Sequence, residues 1–446
     1  MRLQAGLLAA RVAAAATRVA GRGGTSLPGK VLMRAEPRAI ARLAARLPSG
    51  SVVVSATNGK TTTAAMVAAI LGRTGTRLVH NRAGANMAGG VAAALAAGRG
   101  DMGLFEVDEF WLGPVTADLA PRAVLLGNLF RDQLDRYGEL EIIADRWAEI
   151  VERLPAATSL VLNADDPLVG DLGRRREALY YGVEDDALAL PELQHASDSK
   201  HCRRCGHAYV YEAAYLAHLG HYACPNCGAR RPDPAIAATT VELRGIRSAA
   251  FTLRTGDGER RIELPLPGLY NVYNALGAAA LCLHLGVGLD DVAAGLAAVE
   301  PAFGRAETID LGRPTSILLV KNPAGANEVL RTLALEGTQL DLFGILNDRT
   351  ADGRDVSWVW DADWELVAPH VRRLTCSGTR AAELALRLKY AGVPAERLEV
   401  VEDVERGLDR ALAAGDGPLY ALPTYTALLE LRELLARRGQ AQEYWR

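Results

Sequence analysis

Residues 51 to 71 read SVVVSATNGKTTTAAMVAAIL, and this stretch decides the fold. The apolar β-branched run Val52-Val53-Val54 passes through a short turn at Gly59 into an alanine-rich segment of helical character. A strand, a glycine turn and a helix in that order make a phosphate-binding loop. Gly59 lets the backbone approach a phosphate, Lys60 can neutralise it, and Thr61 or Thr62 can ligate Mg²⁺ at the positive end of the helix. Thr57 and Asn58 complete the loop, and the implied ligand is a nucleoside triphosphate. The strict spacing of such loops asks for a glycine where Val54 stands, so the match is partial.

Working outward, residues 1–48 look helical and end at the breaker cluster Leu47-Pro48-Ser49-Gly50. Downstream, the apolar runs LFEVDE, AVLLGNL and TSLVLNADDP alternate with helical segments, which predicts a parallel sheet. The rhythm breaks over about residues 195–235, a stretch dense in His, Cys, Tyr and Pro, and resumes at TVELRG. There FTLR and RIELPL predict short antiparallel strands. After Pro301-Ala302-Phe303-Gly304-Arg305 a second series begins, SILLV, DLFGIL, RRLTCSG, LEVVED and PLYALPT, each followed by a helical segment. The expected α/β organisation is a helical segment 1–48, a nucleotide-binding domain 49–303 with an insertion, and a Rossmann-like domain 304–446.

The 446 residues are 49% hydrophobic, enough for about three domains with buried cores. Fifty basic against 53 acidic residues leave a net charge of −3, so no global field exists to hold nucleic acid. Six cysteines, four of them in CxxC pairs, point to a reducing, cytoplasmic setting. Near the N-terminus, LLAARVAAAATRVAG is apolar but interrupted by Arg11 and Arg18, which predicts a surface or docking helix and not a membrane anchor.

A phosphate loop needs a carboxylate to share its metal, and LFEVDEF supplies Glu106, Asp108 and Glu109 at a strand end. Glu106 is the first choice of Mg²⁺ ligand beside Thr61; a solvated strand end is the plainer alternative. Asn128, Arg131, Asp132 and Asp135 follow the next strand, where they can line the same rim or cap a helix. Asn163, Asp165 and Asp166 of NADDP can touch nucleotide or stabilise their own turn. Cys202-x2-Cys205 and, eighteen residues on, Cys224-x2-Cys227 together offer a tetrahedral sulfur shell suited to structural Zn²⁺, with redox dithiols the lesser alternative. With that shell filled, His201, His207 and His221 are expected at the surface.

In order and spacing, ATNGKTTT, EVDE, NLFRDQLDRYGE, NADDP, LPGLYNVYNALGAAA and FGRAE resemble the central ATPase domain of Mur ligases and folylpolyglutamate synthases. Those enzymes use ATP to turn a carboxylate into an acyl phosphate, which an amine attacks to form an amide. Three features depart from the pattern. Only 48 residues precede Ser49, where the Mur ligases that add amino acids carry a UDP-binding domain; Ala56 replaces a loop glycine; and Gln133 stands for a metal-side His. The later segments LVKNPAGANEVL, ILNDRTADGRDVSWVWDADWE and TCSGTRAAELALRLKYAG resemble the MurT family, which also carries a four-cysteine zinc ribbon in a Mur-ligase-like ATPase domain. The resemblance covers about residues 30 to 440.

It implies an ATP- and Mg²⁺-dependent ligase that amidates the α-carboxylate of D-isoglutamate in lipid II, at the inner face of the plasma membrane. Ammonia would come from a GatD-type glutaminase partner. Beside it, Asn271 and Asn274 stand at i and i+3 where a helix opens and can present two amides to nucleotide. Arg305 would meet a phosphate as the domains close. In the C-terminal region Asn322, Asn327 and Glu328 follow one strand, and Asp348, Asp352, Arg354 and Asp355 another. Asp355 is the first choice for holding ammonia and taking its proton, with loop capping as the alternative. Outside the ribbon only Cys282 and Cys376 remain; Cys282 stands in an alanine-leucine helical segment and reads as core, and Cys376 begins the loop SGTR, so a glutaminase dyad is not expected in this chain. The other enzyme reading is a folylpolyglutamate-synthase-like or Mur-type amino-acid ligase. A non-catalytic ATP-binding scaffold gripping nucleic acid through Arg203, Arg204, Arg230 and Arg231 is a more distant one.

Overall fold

The chain opens with three helices, α1 (Arg2–Val19), α2 (Leu27–Ala35) and α3 (Ala39–Ala44), as the N-terminal sequence predicts. The computed structural model describes residues 2–19, 26–81, 85–132, 140–194, 197–300, 307–337 and 339–441. Gln133, Asp135 and Arg305 lie outside the described residues.

The first alternating series is β1 (Ser51–Ser55), α4 (Lys60–Arg73), β2 (Leu78–His80), α5 (Ala88–Ala97), β3 (Met102–Glu106), α6 (Leu112–Leu119) and β4 (Ala123–Leu126). It continues with α7 (Leu140–Arg153), β5 (Ser159–Asn163) and β6 (Leu179–Val183). The side chains of β1 alternate: Val52 and Val54 enter one core and Val53 the other, so the strand is sealed on both faces. On the first face α4 packs; on the second lie α2, α3, α5, α6 and α7, centred on Phe105 and Trp147.

The inserted stretch forms a separate hairpin of β7 (Val210–Leu216) and β8 (Leu219–Ala223). Then β9 (Ile236–Arg244), β10 (Ser248–Thr255) and β11 (Gly258–Leu264) complete a nine-stranded sheet in the order β11-β10-β9-β6-β5-β4-β1-β3-β2. Strand β9 is parallel to β6, and β10 and β11 run antiparallel. Strands β10 and β11 are longer than the short strands expected at FTLR and RIELPL. In VELR and GERR the charged residues of the outer side interrupt the apolar run, so the sequence displays only part of each strand. Helices α8 (Leu269–His284) and α9 (Leu289–Ala297) cover the first face again.

The second sheet begins with β12 (Glu307–Asp310), antiparallel to β13 (Pro314–Ile317), an edge pairing the sequence did not announce. After it come α10 (Pro323–Ala334), β14 (Leu340–Ile345), β15 (Val371–Ser377), α11 (Ala381–Tyr390), β16 (Leu398–Val400), α12 (Val404–Ala413), β17 (Leu419–Pro423) and α13 (Tyr425–Arg437). The order is β12-β13-β17-β14-β15-β16, parallel apart from β12. Both sheets therefore place strand-to-helix loops at the C-terminal ends of parallel strands, where ligands collect.

The NADDP turn resolves in favour of structure. Asp166 accepts from the N–H groups of Leu129, Leu168 and Val169, and Asn163 accepts from that of Asp165. Asp165, fully buried, accepts from Arg231 at 2.6 Å, from the Tyr273 hydroxyl at 2.6 Å and from the Val183 N–H at 2.9 Å. It ties the end of the inserted stretch to α8. Replacing Asp165 by Ala would leave the Arg231 guanidinium nearly buried with one carboxylate fewer, and is expected to lower unfolding free energy by about 3 kcal/mol. Denaturant titration of the two proteins measures this; a change near zero would show that the link carries no stability.

Candidate active site

The turn between β1 and α4 is held rigid by its neighbours. Gly59 has φ +85°, and a Cβ there would collide with the amide of Asn274 from α8. Asn128, after β4, clamps the loop: its Oδ1 accepts from the Asn58 N–H at 2.9 Å and its Nδ2 donates to the Asn58 carbonyl at 3.0 Å. The Thr57 hydroxyl accepts from the Phe130 N–H at 3.1 Å. The Thr63 hydroxyl bonds Asn274 Oδ1 at 3.3 Å, and Asn274 donates to Asn271 at 3.1 Å, so the predicted amide pair does sit against the phosphate loop.

The acidic strand end meets the loop from the other side. Glu106 accepts from the Thr61 hydroxyl at 3.0 Å. Lys60 is 2.8 Å from Glu109 and also donates to the Ala56 carbonyl. Burial alone would lower the lysine's pKa, but Glu109, Asp108 and Glu106 hold it above its ordinary value. Burial raises the pKa of Asp108, which lies beside Glu109.

These groups line a cavity of about 350 Å³ shared by both sheets. Thr57, Asn58, Gly59, Lys60, Thr61, Thr62, Glu106, Asn271 and Asn274 all border it. From the second sheet Lys321 donates to the Thr57 carbonyl at 3.1 Å and pairs with Asp132 at 2.5 Å. Asn322 caps α10 and exchanges amide hydrogen bonds with Asn58, at 3.0 and 3.2 Å. Apolar walls come from Phe130, Leu266 and Tyr270, and from Leu216 and Leu219 of the β7–β8 hairpin.

Among the described residues five carboxylates, Glu106, Asp108, Glu109, Asp132 and Glu328, and two ammonium groups, Lys60 and Lys321, border the cavity. A polyphosphate entering such a set needs added cations, and the hard oxygen donors Thr61, Glu106 and Asp132 suit Mg²⁺. One buried oxygen of Asp132 has no hydrogen-bond partner among the described residues, which fits a group that expects a ligand.

Asp355 is not in the cavity wall. It is exposed and accepts from the Ser357 N–H at 2.8 Å; the side chain and the N–H of Ser357 together keep its carboxyl below the ordinary range. Its loop reaches the cavity through Ala351. Sequence reasoning missed Asn81 and Lys321, and it placed Glu109 at the strand end without its partner. Asn81 exchanges hydrogen bonds with the backbone of Glu106 and so fixes the strand end. The cue available was only that polar residues end apolar runs.

Four sulfurs, from Cys202, Cys205, Cys224 and Cys227, lie within 4.8 Å of one another. A tetrahedral shell with metal–sulfur bonds of about 2.3 Å has edges near 3.8 Å, so the set fits a metal ion with little movement. The Asn226 amide and the His207 N–H pull the Cys205 thiol down, while the neighbouring cysteines push that of Cys227 up, as expected of thiols packed in one cluster. His201 and His207 are exposed as expected; His221 instead is half-buried, 3.0 Å from the Val183 carbonyl. The ribbon arginines are engaged as well: Arg203 with Asp145, Arg204 with Asp171, Arg231 with Asp165 and Glu184. That removes most of the footing for nucleic-acid binding. Cys282 and Cys376 are fully buried, and burial pushes the Cys376 thiol up to about 12.

The fold and this loop define a ligase with a Mur-type ATPase core. Residues 54–229 match the Mur ligase middle domain and residues 319–428 the MurT ligase C-terminal domain. The chain is 34% identical to the Streptococcus pneumoniae protein named lipid II isoglutaminyl synthase (glutamine-hydrolyzing) subunit MurT, over 97% of each. It is 33% identical to the Staphylococcus aureus protein of the same name, over 96% of each. A pseudomurein peptide ligase from Methanothermus fervidus shares the fold, with a TM-score of 0.68 and 24% identity over 88% of this chain and 79% of that one. The chain belongs to the MurT family.

Lys60→Ala is expected to abolish ATP turnover and, by leaving Glu109 buried without its cation, to lower stability by about 3 kcal/mol. Adding Glu109→Gln should restore most of that stability and none of the turnover. ADP release and thermal unfolding, measured on both variants, separate the two effects; turnover by either folded variant would remove Lys60 from the chemistry.

Proposed function

We propose that this chain is the synthetase half of a lipid II amidating enzyme. It would convert the α-carboxylate of D-isoglutamate in the stem peptide to the amide of D-isoglutamine, using ATP and ammonia. The single observation that carries the reading is the cavity shared by the phosphate loop and the second sheet, in a chain that matches MurT proteins along nearly its whole length. A folylpolyglutamate-type activity has less support, because residues 319–428 match the MurT-specific C-terminal domain.

In this reading Lys60, Gly59, Thr61 and Thr62 bind the ATP phosphates, with Asn271 and Asn274 bracing the loop from α8. Glu106, with Thr61, would hold Mg²⁺, which supplies charge neutralisation among the crowded oxygens. A substrate carboxylate oxygen attacks the γ-phosphorus and ADP leaves; ammonia then attacks the acyl carbon, phosphate departs, and one proton is lost from nitrogen. Asp355 would orient ammonia and take that proton. Its exposed position on a loop that also touches the cavity suits a group meeting ammonia on arrival.

The ammonia would come from a GatD-type glutaminase subunit. The argument is chemical: among the described residues the two cysteines outside the ribbon are buried, and burial keeps both thiols protonated. Zn²⁺ in the ribbon would be structural, since four thiolates leave it no open position. Among the described residues the ribbon's own apolar cluster is Cys202, Cys224 and Ala229 with Tyr209 against it, too small to hold its loops without a metal.

Freshly purified, reduced protein should contain one equivalent of zinc by metal analysis, and Cys202→Ser should lose it together with several degrees of melting temperature; zinc-free wild-type protein of full stability would contradict the assignment. The isolated chain should amidate lipid II with concentrated ammonium but not with glutamine, and accept glutamine once the glutaminase subunit is added. Asp355→Asn should bind ATP normally while amidation falls at least about a hundredfold. Glutamine use by the single chain would defeat the two-subunit reading, and unchanged amidation by Asp355→Asn would remove that residue alone.

A further inference from the structure

Helix α1 is apolar on both sides and covered on one. Its inner stripe of Leu3, Gly6, Leu7 and Ala10 meets the rest of the protein, and Gly6 lies so close to α2 that a Cβ would be 3.0 Å from Leu32. The positions between them, Ala5, Leu8, Ala9, Val12, Ala15 and Ala16, recur at three- and four-residue spacing and are all exposed. Leu8 is 64% and Val12 63% exposed, the largest apolar side chains of that stripe. A helix apolar all round is normally buried all round, so the outer stripe has a missing partner.

Charge identifies its kind. Residues 1–35 contain six Lys or Arg and no Asp or Glu, in a chain whose net charge is −3. Arg2 and Arg11 flank the outer stripe, and Lys30 and Arg34 are exposed on α2. Helix α5, packed on α2, carries no charge to offset them. A second copy would set one basic segment against another, which this charge disfavours. No described helix is long and apolar enough to cross a membrane.

We propose that α1 lies in the plane of an anionic membrane, with its outer stripe at the headgroup boundary and the flanking basic side chains on lipid phosphates. Two large apolar side chains and a few cations make this docking weak and reversible. It does not depend on the ligase reading, although it would bring the cavity to a lipid-linked substrate.

Sedimentation of the full chain with vesicles, either phosphatidylcholine alone or with roughly one-third phosphatidylglycerol, tests it without substrate. The chain should bind the anionic vesicles at least about tenfold better than the neutral ones, and high salt should release it. Leu8→Glu/Val12→Glu and Arg2→Glu/Arg11→Glu should each weaken that binding by about tenfold or more, at unchanged melting temperature because these side chains are exposed. Absence of binding to anionic vesicles, or binding that both variants retain, overturns the proposal. So does a homodimer or a glutaminase complex, seen by light scattering, that Leu8→Glu/Val12→Glu dissolves, since the face would then belong to a protein partner.

Discussion

A buried ammonium group must be answered by carboxylates, and the charge of Lys60 organises this molecule. Only a tenth of its side chain is exposed, and Glu109 faces it at 2.8 Å. Glu109 can be there because β3 lies beside β1 in register, ending at Glu106 just as β1 gives way to the loop. The same neighbourhood lets Glu106 meet Thr61. Parallel pairing of two apolar strands thus brings the cation and its counter-ions together, and the nine-stranded sheet is the frame that holds that register.

The second sheet closes on the same loop. Lys321 and Asn322 reach across to Thr57 and Asn58, so the loop is gripped by residues from both halves of the chain. The β7–β8 hairpin adds a third contact: Leu216 and Leu219 wall the cavity, while the Tyr215 carbonyl accepts from Arg331 of α10 at 2.7 Å. The four-cysteine end of the insertion and its cavity-side end are therefore joined through one hairpin. If those cysteines hold a metal, its loss would reach the cavity through that hairpin.

Much of this was legible in the sequence, because its signals are local. Ser51 to Leu71 carries strand, turn and helix in one run; the CxxC pairs carry their own spacing; Asn271 and Asn274 declare themselves by lying one helical turn apart. Lys321 was hidden, since its partners Asp132 and Thr57 are distant in sequence and only packing of the two sheets unites them. Asn81 was hidden for the same reason. Glu109 could be placed near the loop but not paired, because the chain leaves β3 after Glu106 and alternation no longer applies. Strand β12 escaped because four residues ending in a turn give too short a period to count. For Asp355 the sequence left loop capping and catalysis open, and the bond it accepts from the Ser357 N–H is of the first kind.

The mass of the product tests the central claim most directly. Lipid II incubated with this chain, the proposed glutaminase subunit, ATP and glutamine should come out lighter by about 1 Da, as one OH is replaced by NH₂. A gain of roughly 129 Da, the mass of an added glutamate residue, would show instead a ligase that joins amino acids and would contradict the account.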